Sequence, residues 1–133
     1  MATGLFAVPR SAREAAAFLA AARAGGGIYQ IDRWPAGRGD LRPTPRAVGR
    51  AVAWLRVAQR LTTGFLDPVE DAVYLTAGLR GVGLPATFHL GREVVPASPP
   101  AGFYAWVECD GKVVSTSLPV REEYIEVHRS GDQ

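Results

Sequence analysis

The apolar positions change period once along the chain, from three-and-four spacing to alternation, and this divides the sequence into a helical part and a later stranded part. Ser11, Ala12, Arg13 and Glu14 form a capping-box pattern, so a first helix is predicted over 11–24, ending at Gly25, Gly26 and Gly27. Ile28, Tyr29, Ile31 and Trp34 predict a short extended piece, and Pro35, Gly37, Gly39 and Pro43 an irregular connection. Thr44 followed by Pro45 is an N-cap with proline in the first turn. Val48, Ala51, Val52, Leu55 and Ala58 then carry a second helix to about Leu61. Asp67, Pro68 and Glu70 repeat that start, and Val69, Ala72, Val73, Leu75 and Leu79 give a third helix to about Leu79.

Beyond Gly81, Val82 and Gly83 the alternation begins. Ala86–Leu90 and Val94–Val95 are predicted as strand, Pro96–Gly102 as loop and Phe103–Cys109 as a strand of strict alternation. Phe103, Ala105, Val107 and Cys109 share one side of it, and Tyr104, Trp106 and Glu108 the other. Asp110-Gly111 signals a tight hairpin into Lys112–Thr116, and Tyr124–Val127 a further strand. Helices first and antiparallel strands last make an α+β chain with N-terminal helices packed on a C-terminal sheet. Its 133 residues allow one domain over 1–133, with 1–43 as an N-terminal helix and irregular segment and 44–128 as the core.

Composition narrows the function classes. With 47% hydrophobic and 21% charged residues the chain can bury a core, which excludes wholesale disorder. No apolar run is long enough for a membrane span and no secretory signal is visible, so a cytoplasmic protein with no membrane partner is expected. Residues 1–60 carry ten Arg against Glu14, Asp32 and Asp40, a charge of +7; residues 61–133 carry five basic and ten acidic side chains, a charge of −5. Of the basic residues all but Lys112 are Arg, the composition of a GC-rich bacterial genome. The arginines recur at helical spacing with few aromatics among them, so no nucleic-acid partner is expected. Cys109 is the single cysteine and His89 and His128 the only histidines, which leaves neither a disulfide nor a thiolate–imidazole metal site; no metal and no cofactor are expected.

Several side chains bear chemistry. Arg46, Arg50, Arg56 and Arg60 line one side of the second helix and are read as a solvated face rather than a phosphate or carboxylate site. Cys109 is read as a small buried hydrophobe, and His89 and His128, which have no nucleophile at a recognisable spacing, as structural. Asp67, Glu70 and Asp71 cluster at a helix start, where capping and the macrodipole account for them; their other reading is as general acids or bases.

One block adds a resemblance. Ala72, Val73, Tyr74 and Leu75, then Leu79-Arg80, the Gly83-Leu84-Pro85-Ala86 turn, and Tyr104-Ala105-Trp106-Val107-Glu108-Cys109-Asp110-Gly111 are similar to the leader peptidases of lasso-peptide biosynthesis, which are transglutaminase-like, papain-like cysteine peptidases. The match covers about half the chain, and the arginine-bearing helix from Thr44 to Leu61 sits where that family has one. The resemblance implies a transglutaminase-like core in which a cysteine opens a helix, a histidine on the neighbouring strand takes its proton, and a third group orients the histidine. Here those positions fall on Pro68, on Tyr104, and on Ser115 or Thr116, so the expected site is degenerate. The expectation that follows is a pseudo-peptidase that binds a precursor or leader peptide, or another biosynthetic protein, in a ribosomal-peptide pathway, with Tyr104, Trp106 and Asp67 as contacts. The alternative is an enzyme of replaced acid–base chemistry built from Asp67, Glu70, Asp71 and Tyr104, promoting cyclisation, isomerisation or elimination. Oligomeric state is not legible in the pattern.

Overall fold

A computed structural model describes residues 3–24, 44–62, 64, 66, 68–93, 103–116, 120 and 124–130. Three helices come first: α1 (Thr3–Ala24), α2 (Pro45–Thr62) and α3 (Pro68–Gly81). The cap expected at Ser11 is a correction, because α1 begins eight residues earlier and Ser11 lies inside it, 2% exposed. Its role is packing: a Cβ added at Gly81 of α3 would sit 2.8 Å from Ser11 Oγ, so small residues at both positions let the two helices cross closely. The start of α2 follows the local pattern, with Thr44 Oγ1 accepting from the Ala47 amide at 3.1 Å and Pro45 in the first turn. The extended piece expected at 28–34 and the strand expected at 94–95 lie outside the described residues.

Helix α3 is buried on every side from Ala72 to Arg80, which is possible only for a helix enclosed between two layers. It packs against α1 and α2 on one side and against the first two strands on the other. A Schellman turn ends it: Gly83, at φ 102°, donates to the Arg80 carbonyl at 3.1 Å and Leu84 to the Leu79 carbonyl at 2.9 Å. Arg80, itself buried, donates from Nη1 to the Ala86 carbonyl at 3.2 Å and ties the helix end to the first strand.

The strands β1 (Ala86–Glu93), β2 (Phe103–Cys109), β3 (Lys112–Val113) and β4 (Tyr124–Ser130) form one antiparallel sheet in the order β3-β2-β1-β4. Ala86, Phe88 and Leu90 of β1 pair with Cys109, Val107 and Ala105 of β2 and join the helices in the core. Thr87, His89 and Gly91 pair with Glu108, Trp106 and Tyr104 and take the opposite face. Asp110 and Gly111 make the hairpin turn, both at positive φ (55° and 77°) as its tightest form requires. The strand expected to reach Thr116 stops at Val113, because Ser115 Oγ accepts the Val107 amide at 2.9 Å where a strand would have offered a carbonyl. No helix among the described residues is long and apolar enough to cross a membrane.

Gly91 is a close-approach site: a Cβ there would lie 2.7 and 2.9 Å from ring atoms of Trp106 and 2.8 Å from Tyr124 Cβ. Gly91→Ala is expected to lower stability by about 1–3 kcal/mol in urea unfolding. Gly49→Ala, in α2 with nothing within 4 Å of the new methyl, is expected to raise it by about 0.5–1 kcal/mol. Equal effects of the two substitutions would contradict this packing.

Candidate functional site

The C-terminal turns of α2, the first turn of α3, the start of β2 and the segment after β3 enclose a cavity of about 240 Å³. Pro68, Tyr104 and Ser115 all line it, so the three positions that the resemblance marks are brought to one place. Pro68 opens α3 and is exposed, Tyr104 is half-buried near the start of β2, and Ser115 is buried. The chemistry at these positions is plain: proline has no heteroatom on its side chain, and the Ser115 hydroxyl is occupied by the Val107 amide. The Tyr104 ring stacks on Tyr124 of β4, centroids 5.6 Å apart at 27°, bridging the sheet above Gly91.

The rest of the lining is a polar network that sequence periodicity missed. Arg56 was expected on a solvated face; instead it is half-buried, donating through Nη2 to Asp71 Oδ2 at 3.1 Å and to the Ser115 carbonyl. Gln59, one turn on and buried, donates from Nε2 to Asp71 Oδ1 at 2.9 Å. The reason is positional: Arg56 and Gln59 flank the buried Leu55 on the edge of α2 that meets the start of α3, so polarity alone does not turn them outward. Arg46, Arg50 and Arg60 are exposed. The network fixes both Asp71 oxygens as acceptors, and any acid–base work by Asp71 would have to break it first. Glu70 is half-buried in the first turn of α3 and is not part of the cavity wall, while Asp67 lies outside the described residues.

A larger groove of about 480 Å³ runs along α2 beside the β2–β3 hairpin, lined by Val48, Val52, Ala53, Val113 and Val114 among others. Arg56 borders both this groove and the smaller cavity. β3 is an edge strand of the sheet, with one side unpaired among the described residues. Cys109 contributes to the groove wall but is buried; burial, with the neighbouring Asp110 charge, pushes its thiol up to about 11. That is the opposite of an activated nucleophile.

His89, Trp106 and Glu108 occupy the other face of the sheet. Trp106, expected beside Tyr104 as a peptide contact, is 1% exposed and does not line the cavity; its indole donates to Glu108 Oε2 at 2.9 Å and its ring stacks on His89. His89 is also buried and is bonded to Thr87 and Glu126. Glu126, 37 residues along the chain from His89, belongs to no sequence spacing that could have announced it. The His128 side chain lies outside the described residues.

A family model described as the transglutaminase-like superfamily matches residues 10–129. The chain belongs to that superfamily. A comparison with curated proteins and one with solved structures return no match. The helix-then-sheet order, with the start of α3 facing the start of β2 across a cavity, is consistent with a transglutaminase-like α+β core.

Two outcomes test this geometry. Arg56→Ala removes donors from Asp71 and from the Ser115 carbonyl and is expected to cost about 1 kcal/mol in urea unfolding, with Arg56→Lys recovering only part because it lacks the planar fork. Cys109 is expected to resist iodoacetamide at pH 8 in the folded protein and to react at once in urea. Because its folded thiol titrates above the ordinary 9.0, stability is unaffected by this group below that pH and falls as pH rises toward about 11, where the unfolded chain alone has ionised; a Cys109→Ser variant loses that segment of the pH–stability curve.

Proposed function

We propose that this transglutaminase-like protein is a non-catalytic, peptide-binding pseudo-peptidase of a ribosomal-peptide pathway of the lasso-peptide kind, holding an extended precursor or leader segment along α2 and the β3 edge. The observation that carries the reading is that Pro68, Tyr104 and Ser115 line one cavity and none of them offers a thiol, an imidazole or a carboxylate. A vacated peptidase cleft keeps the means of gripping substrate: the adjoining apolar groove accepts side chains, and the side of β3 left unpaired among the described residues accepts a backbone by strand addition. The alternative of replaced acid–base chemistry is disfavoured by the commitment of Asp71 to Arg56 and Gln59.

The test separates binding from cleavage. The precursor peptide encoded beside the gene, fluorescently labelled, is expected to bind with a dissociation constant on the order of micromolar, without hydrolysis products by mass spectrometry. Ala53→Trp, which fills the groove from an exposed position, is expected to weaken binding about tenfold or more while leaving the melting temperature unchanged. Cleavage of the peptide, or binding indifferent to Ala53→Trp, would overturn the reading.

A further inference from the structure

The sheet face turned away from the helices is closed at its centre by ionisable side chains. His89 of β1 is 1% exposed and its ring lies flat on Trp106, centroids 5.7 Å apart and 9° from parallel. Its Nε2 is 2.7 Å from Thr87 Oγ1, and that hydroxyl donates to the Glu108 carbonyl at 3.4 Å. The Thr87 hydroxyl engages Nε2, which leaves Nδ1 as the ring atom turned to the carboxylates. Nδ1 stands before two carboxylates: it contacts Glu126 Oε1 and lies 3.8 Å from Glu108 Oε2. So close an approach of nitrogen and carboxylate requires a positive centre between them, either a proton shared with Glu126 or a metal ion.

Three observations point to a metal ion. One ligand atom from each of His89, Glu108 and Glu126 lies within 4.8 Å of the others, while ligands on Zn²⁺, at bonds of about 2.0–2.2 Å, stand no more than about 4.4 Å apart, so a bound ion requires the direct His89–Glu126 contact to open and Glu108 to draw in. Two carboxylates beside a neutral imidazole sum to −2, or −1 with Arg129 paired to Glu126, so the cluster carries a net negative charge that favours a cation. His89 is held through its other nitrogen by Thr87, and Glu126 through its other oxygen by Arg129 Nη2 at 3.2 Å, as metal ligands are, while the Trp106 indole fixes Glu108 Oε2, the oxygen that faces His89.

The backbone supplies a further argument. The β1–β4 ladder slips between Leu90 and Gly91: Leu90 pairs with His128 but Gly91 with Glu126. Without that bulge Gly91 would face Val127, and Glu126 would point to the helix side of the sheet. The irregularity is what delivers Glu126 to His89.

We propose that His89 Nδ1, Glu108 and Glu126 form a divalent transition-metal site, suited to Zn²⁺, that fastens β4 to β1 and β2 and leaves a fourth position open to water. The full chain, stripped with a chelator, is titrated with Zn²⁺ alone by calorimetry and with Co²⁺ by visible absorption. One equivalent is expected to bind with a dissociation constant on the order of 1 μM or tighter, to raise the melting temperature by several degrees, and to give the absorption of tetrahedral Co²⁺. Glu126→Gln and Glu108→Gln are each expected to weaken binding about tenfold or more. Absence of binding at about 100 μM metal would leave a proton-bridged His89–Glu126 pair and overturn the site, and the wild-type chain alone decides that outcome. Binding undiminished in a folded Glu126→Gln variant would place the ion elsewhere and overturn it as well.

Discussion

The burial of α3 on all sides is the constraint from which the rest of the molecule follows. A helix with no solvated face must be enclosed, so α1 and α2 cover one side and β1 and β2 the other. Close enclosure then restricts the crossings to small residues. A Cβ at Gly78 would stand 2.8 Å from a Leu55 methyl, as one at Gly81 would from Ser11 Oγ. These contacts fix where α2 lies relative to the first turn of α3, and hence where Arg56 meets Asp71.

That placement accounts for the site. The start of α3 reaches the surface, with Pro68 exposed, and its first turn is where the positive end of the macrodipole would favour an ionised nucleophile. In this chain the position holds proline, and the cavity wall it shares carries an arginine and an aspartate paired with each other. Such a pair stiffens the wall of the cavity and fixes the segment after β3 through the Ser115 carbonyl. It contributes shape to a cleft lined, among the described residues, by no cysteine and no histidine.

The two sheet faces are buried by different means. Toward the helices, aliphatic side chains exclude water in the ordinary way. On the other face an aromatic ring, an imidazole and two carboxylates are brought together, an arrangement stable only where each polar atom has a partner. Gly91 is part of the same construction, since only a missing side chain lets Trp106 and Tyr124 close over β1.

What the sequence determined by itself was whatever depends on neighbours in the chain. The capped start of α2, the extent of β2, the Asp110-Gly111 turn and the α+β order all rest on local hydrogen bonds and on periodicities of two or 3.6 residues. The positions that the resemblance marks are spacings along one helix and one strand, and the fold brings Pro68, Tyr104 and Ser115 to one cavity. Ser11 misled because its capping pattern is real but weaker than the packing of α1 on α3, which keeps the helix going through it. Arg56 misled because charge indicates exposure only until an opposite charge from another element meets it. Glu126 was beyond reach altogether: a one-residue slip in a strand pairing decides which face its side chain takes, and no local pattern encodes a slip that exists only between two strands.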